Sequence, residues 1–239
     1  MRTYVILGSV ASGKTTLARL LDKAITKRGY TSKYIGININ HGFAYIITKI
    51  LVLLTGYKYT SNYYLTLRFN NTELFCKYIG LMAVLDTLYA PIKLLTSIFV
   101  YKLYHKLTKR EFSLIIDEYY FNAVIDYIYF TKKLCKACIN RWKSLALRFF
   151  YKVTLTLALA ALRDTQMIVV YLGTSLCQSI IGWVKREKMS ICDISHLMFR
   201  TAGNKVIARN LDCLKHIIYN VTDPRNDMRN ILRMLLETL

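Results

Sequence analysis

The stretch Arg2-Thr3-Tyr4-Val5-Ile6-Leu7-Gly8-Ser9-Val10-Ala11-Ser12-Gly13-Lys14-Thr15-Thr16 decides how this chain folds. Arg2–Leu7 is short, rich in Tyr, Val, Ile and Leu, and ends at a glycine, which predicts a buried strand. From Gly8 to Thr15 the order is glycine, four residues, glycine, lysine, threonine. Phosphate binding needs that order. The glycines let the backbone curl so that its N–H groups face phosphate oxygens, Lys14 reaches the β- and γ-phosphates, and Thr15 offers a hydroxyl to Mg²⁺. Thr15–Lys27 follows with Leu17, Leu20, Leu21 and Ile25 on one helical face, closed by Gly29. The N-terminus of such a helix adds a favourable dipole for an anion. The nucleotide contacts this predicts are Gly8, Ser9, Val10, Ala11, Ser12, Gly13, Lys14, Thr15 and Thr16.

A loop of this kind works with an acidic residue at the end of a second buried strand, which helps to hold Mg²⁺. Leu114-Ile115-Ile116-Asp117-Glu118 fits that description, and nowhere else does an apolar run lead into an acidic pair. Asp117 is the expected metal ligand or base, with Glu118 next in line; an N-cap role for Asp117 is compatible with either. Around these landmarks the pattern alternates. Strands are expected at Ser32–Ile39, Phe112–Ile116, Met167–Leu172 and His216–Val221. Helices are expected at Phe43–Leu54, Thr72–His105, Tyr119–Phe130, Arg141–Leu162 and Asp223–Leu239, with a Tyr/Asn-rich turn at Gly56–Asn62. Fully apolar strands between helices predict an α/β domain with a parallel sheet.

Composition narrows the partners. Across 239 residues, 54% are hydrophobic, and 34 Lys and Arg against 14 Asp and Glu give a net charge of +20. Disorder is excluded, and polyanions are favoured. Ile79–Tyr101 is greasy but carries Asp86 and Lys93, and Thr165–Val184 is uncharged but dotted with polar residues, so neither reads as a membrane span. Met1–Leu7 is too short for a signal segment. Six scattered cysteines then read as reduced thiols of a cytoplasmic protein, peripheral to a membrane if it meets one. Cys135 and Cys138 have C-x-x-C spacing without the second pair a zinc site needs.

With these residues in view, the chain resembles the thymidylate kinase-like branch of the P-loop kinases. Gly13-Lys14-Thr15-Thr16 is similar to that family's Gly-Lys-Thr-Thr, and Asp117-Glu118-Tyr119 to its Asp-Arg-Tyr. Val169–Leu172 precedes a lid, and Lys185-Arg186 followed by Asp193 resembles its Arg-rich lid helix. The resemblance implies one domain over 1–239, a P-loop NTPase three-layer sandwich on a five-stranded parallel sheet. It implies a helical acceptor-site insertion at 43–109 and a lid-like helical region at 174–210. It further implies ATP with Mg²⁺ bound at Thr15 and Asp117, and transfer of the γ-phosphate to a small acceptor. Lys14, Asp117, Glu118 and, from the lid, Arg186 are the implied catalytic residues.

The departures bear on the acceptor. Val10 stands where the family has a carboxylate, Asn38-Ile39-Asn40-His41-Gly42 where it has Arg-Glu-Pro, and Glu118 where it has a phosphate-binding Arg. The insertion is apolar and aromatic, with Ile46, Leu51, Leu54, Tyr64, Leu81 and Phe99 among its residues, so a pocket built from it is expected to be apolar. Residues 127–163 hold no acidic residue and interleave Lys132, Lys133, Arg148 and Lys152 with aromatics. That pattern fits a solvated helix face, an anionic membrane surface or nucleic acid. A homodimer is a further open arrangement. The competing function is a P-loop NTPase or nucleotide-gated binding protein acting at such a surface. His41 beside the acceptor, Arg68 and Arg200 are further candidates whose place the sequence leaves open.

Overall fold

The computed structural model describes the chain except residues 1, 37–41, 58–62, 109–110, 119–120, 164–165, 188–192, 212–214 and 238–239, and except the side chains at 87, 90, 91, 141–143, 146, 150, 154, 158, 161, 224 and 225. Strands β1 (Arg2–Gly8), β2 (Thr31–Gly36), β3 (Phe112–Asp117), β4 (Gln166–Gly173) and β5 (Lys215–Asn220) form one sheet in the order β2-β3-β1-β4-β5. Every pairing is parallel. Along β1, Tyr4 and Ile6 pack with one cluster, and Val5 and Leu7 with another on the opposite face. Burial on both faces is what a parallel sheet requires, and it explains why these strands read as unbroken apolar runs.

Helix α1 (Lys14–Lys27) and the C-terminal helix α9 (Pro224–Leu236) cover one face through Leu17, Leu21, Ile25, Ile231 and Leu235. On the other face lie α4 (Thr72–Thr108), α5 (Phe121–Tyr129), α6 (Arg141–Leu162) and α8 (Ile194–Asn210), with Leu94, Ile98, Phe121, Leu162 and Ala208 in the cluster. A separate helical cluster joins α2 (Phe43–Thr55), α3 (Tyr63–Asn70), α4 and α5 around Tyr64, Phe75, Met82, Tyr127 and Phe130. Helix α7 (Leu176–Glu187) precedes α8. The α/β class, the five strands and their parallel sense follow the sequence reading.

Three expectations need correction. The stretch between the Tyr/Asn-rich turn and α4 forms α3, whose Tyr64, Leu65, Thr66, Leu67 and Arg68 are all buried, so its pattern shows no solvent face. The apolar residues of 43–109 do not all turn inward: Leu51 and Tyr64 join the helical cluster, but others are exposed. Ile46, Leu54, Leu81 and Phe99 face outward, and Phe99 keeps 67% of its surface exposed. On α4, Leu88, Ile92, Leu95, Phe99, Leu103 and Leu107 form an exposed ridge, and α6 beside it shows Leu145, Phe149, Val153 and Leu157. Finally, the cysteines are not all reduced. Cys76 of α4 and Cys135, after the π turn Phe130–Leu134, form a disulfide with Cα atoms 5.1 Å apart, because the helical cluster brings two positions 59 residues apart together. Cys135 therefore does not pair with Cys138, which is exposed, as is Cys177. Cys192 and Cys213 lie outside the described residues. Among the described residues no helix is long and apolar enough to cross a membrane.

Candidate active site

The strand order puts β1 at the centre, so the loop that follows it opens at the C-terminal edge of the sheet, between β3 and β4. In open parallel sheets that crevice is where ligands bind. Gly8 leaves β1 at φ 151°, and a Cβ there would run into the Leu172 carbonyl of β4. Only glycine fits. The loop then turns through left-handed backbone at Ala11 (φ 59°) and Gly13 (φ 86°), the kind of alternation that aims successive N–H groups at an anion. Gly13 caps the N-terminus of α1, which carries no acidic residue in its first turn to compete for that anion. Two neighbours fix the loop. Asn204 of α8 donates to the Gly8 carbonyl (3.3 Å), and Gly182 of α7 lies so close to Ala11 that a side chain at 182 would collide with it.

Lys14 is buried and folded back on the loop. Its Nζ donates to the Ser9 carbonyl (2.6 Å) and lies 3.3 Å from Glu118 Oε1. Burial lowers its pKa, opposed by Glu118. Thr15 donates its hydroxyl to Asp117 Oδ2 (2.6 Å), and Tyr34 of β2 donates to the same oxygen (3.1 Å). Burial raises the Asp117 carboxyl above its usual range, with Thr15 and Tyr34 opposing. The Tyr34 phenol is itself pushed up to about 12 by burial and by Asp117. The other Asp117 oxygen, Oδ1, is buried without a hydrogen-bond partner.

Glu118 follows β3 in left-handed backbone (φ 53°), its N–H bonded to the Ile6 carbonyl. A non-glycine residue there is uncommon and costs on the order of 1 kcal/mol, and such positions cluster at functional sites. Its Oε2 accepts from Arg200 of α8 (3.1 Å). Burial alone would raise this carboxyl, but Arg200, Lys14 and then Arg186 outweigh it and hold the pKa at about 2. Arg200 also faces Asp126 Oδ2 of α5 (3.6 Å), and Asp126 Oδ1 meets His196 Nε2 (2.8 Å).

Lys14, Thr15, Asp117 and Glu118 thus converge as the sequence suggests, with Arg186 near enough to act on Glu118 electrostatically. Asp193 takes another place. It caps α8 by accepting from the His196 N–H, pairs with Arg68 and accepts from Tyr129. Tyr34, Asp126, His196 and Asn204 escaped the reading because they belong to no motif, whereas Arg200, a candidate whose place the sequence leaves open, falls between Glu118 and Asp126. One signal was available: His196, Arg200 and Asn204 recur every four residues and so share one face of α8. His41 and Tyr119 lie outside the described residues, as do the side chains of Arg141, Trp142, Lys143 and Phe150 in the basic stretch.

This sheet order, with a phosphate loop at the central strand, defines a P-loop nucleotide-binding fold. Among solved structures the chain is similar over its whole length to deoxyadenosine kinase from M. mycoides. Against that enzyme with the products dCMP and a flexible dCDP bound, the TM-score is 0.57 at 14% identity, covering 98% of this chain and 99% of the other. Against the same enzyme with dATP the TM-score is 0.55 at 16% identity, with the same coverage. The fold is therefore that of the P-loop nucleoside kinases. No family model matches the chain, and no curated protein matches it significantly.

Proposed function

We propose that this chain is an ATP-dependent phosphotransferase whose acceptor is a neutral hydroxyl compound, with a nucleoside as the first candidate. The Thr15–Asp117 bond of 2.6 Å carries the reading. It joins the phosphate loop to the end of β3 and leaves Asp117 Oδ1 buried and unpartnered. A hydroxyl and a carboxylate so placed suit Mg²⁺, which binds through one or two protein oxygens plus substrate phosphates. Among the described residues no cluster of three His, Cys, Asp or Glu forms a protein-only metal site, which agrees with a metal that arrives with its nucleotide.

ATP with Mg²⁺ would supply the transferable phosphoryl group, and the protein's part is positioning and charge. Lys14 offers its ammonium to the phosphates while the loop from Gly8 to Thr16 cradles them. Thr15 and Asp117 would hold the metal, and Tyr34 keeps Asp117 in place. Arg186 brings positive charge toward the transferring group. Arg200 and Lys14 keep Glu118 ionised, while Asp117 is engaged by Thr15 and Tyr34.

Glu118 also argues against an acceptor that already carries phosphate. The deoxyadenosine kinase neighbours point the same way. Within the P-loop kinases, the thymidylate kinase-like resemblance rests on Gly13–Thr16 and on Asp117-Glu118-Tyr119, and we infer shared chemistry without thymidylate as substrate. The test is γ-phosphate transfer from Mg·ATP to a panel of nucleosides, nucleoside monophosphates and polyprenols. Transfer to a nucleoside at roughly 1–10³ s⁻¹ is expected, with monophosphates at least tenfold poorer. Thymidylate turnover equal to that of the best nucleoside overturns the acceptor assignment. ATP hydrolysis with no transfer to any acceptor would favour the nucleotide-gated alternative.

A further inference from the structure

Lys14 is engaged with the wrong partners for catalysis. Its ammonium lies on the loop's own Ser9 carbonyl and on Glu118 Oε1, and neither is a phosphate. To meet a triphosphate it must leave Glu118, and a largely buried carboxylate stripped of its cation is costly. The structure places a second cation on the opposite oxygen: Arg200 donates to Glu118 Oε2 at 3.1 Å. Arg200 is not free to follow Lys14. It is anchored on Asp126, which is fully buried and held by His196 at 2.8 Å. Glu118 for its part sits on constrained backbone at φ 53°, tied to Ile6, so its carboxylate is aimed between the two cations.

We propose that Arg200 is a positioning residue for phosphoryl transfer: by holding Glu118 from the α8 side, it lets Lys14 exchange the Glu118 carboxylate for the phosphates of a bound nucleotide. This rests on the phosphotransfer reading above and extends it to a residue that reaches the nucleotide only through Glu118. Without Arg200, Glu118 has Lys14 as its nearest cation and competes with the phosphates for it. With Arg200, the carboxylate stays balanced after Lys14 departs. The exchange also ties α8 to the phosphate loop, a link that Asn204 on the Gly8 carbonyl reinforces four residues further along the same face.

A double-mutant cycle tests this, with Kd for Mg·ATP measured by calorimetry without acceptor, and KM and kcat measured separately with the best acceptor. Arg200→Met should weaken Mg·ATP binding about tenfold, within the usual range for two charges in one network. Glu118→Gln should bind Mg·ATP at least as tightly as wild type, because Lys14 is released, whatever happens to kcat. In the Glu118→Gln background, Arg200→Met should then change Kd by less than about twofold. Arg200→Lys, which keeps the charge, should recover part of the lost affinity. The same tenfold loss in both backgrounds would mean that Arg200 touches the nucleotide directly and overturns the proposal. So would wild-type affinity in Arg200→Met, or weaker binding in Glu118→Gln. If Arg200→Met alone fails to fold, the comparison of Glu118→Gln with the double variant, which has no stranded carboxylate at 118, decides by the same twofold criterion. A wild-type protein that binds no Mg·ATP removes the phosphotransfer reading as well, so the two failures are distinguishable.

Discussion

Breaking the Cys76–Cys135 bridge should cost this protein a large part of its stability and little of its nucleotide binding. The two cysteines lie 59 residues apart in sequence, and both are buried. In the chain-entropy account, a cross-link closing a loop of that length removes about 4 kcal/mol of conformational freedom from the unfolded chain at 25 °C. Measured losses for native disulfides run from about 2 to 5 kcal/mol. For a chain of this size each kcal/mol moves the melting temperature by about 2–4 °C, so a fall of roughly 10 °C is expected. Cys76→Ala/Cys135→Ala is the suitable variant, since alanine leaves no unpaired polar group in the cluster around Phe75 and Phe130. Calorimetric melts of this variant, and of wild type with and without reductant, give the number, and thiol titration after unfolding reports whether the bridge was present. Well below the melt, Mg·ATP affinity should change little, because Lys14, Thr15, Asp117 and Glu118 make their hydrogen bonds and ion pairs to residues other than the two cysteines, and Val10 is the phosphate-loop residue in the cluster that holds the bridge. If reductant opens the bridge by thiol count and the melting temperature does not move, the entropic argument fails for this chain.

Other outcomes follow from the site. Lys14→Ala should weaken Mg·ATP binding by about 10- to 100-fold, the range for a charged hydrogen bond, with an unchanged circular dichroism spectrum; calorimetric titration with Mg·ATP checks it. Asp117→Asn should keep nucleotide affinity within a few-fold and lose roughly a hundredfold in Mg²⁺-dependent turnover, which parallel binding and rate measurements separate. The acid limb of stability should depend on Glu118. Its folded-state pKa lies near 2, against 4.5 for the free side chain, so the stability it contributes is fully present above pH 4.5 and is lost as pH falls toward 2. Denaturant titrations of Glu118→Gln should therefore show a shallower loss over that window than wild type; equal slopes would mean that the carboxylate is not held as described.

The sheet was legible because its signal is local. Val5, Ile6 and Leu7, Leu114–Ile116 and Val169–Leu172 are short, apolar without interruption and rich in Val and Ile, as strands buried on both faces are. The phosphate loop was legible because its backbone geometry demands glycine at fixed spacing, and Asp117 because an acid ends a buried run. Glu118 was visible as a residue, but its left-handed backbone was not, since nothing in its neighbours calls for positive φ. Helix α3 was missed because burial on all sides erases the periodicity that marks a helix. The partners of Glu118 and Asp117 come from α8 and β2, which are 82 and 83 residues away in sequence. That distance is set by packing, and a linear pattern does not encode it. The disulfide failed for the same reason, compounded by composition: cysteines scattered without a motif read as reduced.

The outward ridge of α4 has a thermodynamic consequence. From Leu81 to Leu107 it runs for roughly 40 Å of helix, with Leu107 at 75% exposure. Each Å² of such surface kept in water forgoes about 25 cal/mol. A solute that covers the ridge and binds the folded chain more tightly than the unfolded one, whether detergent, glycol or another macromolecule, stabilises the fold. By mass action it then adds to the measured unfolding free energy as the logarithm of its concentration. A melting temperature for this protein is therefore a property of the solution as much as of the sequence, and values compare only at matched protein and cosolvent concentration.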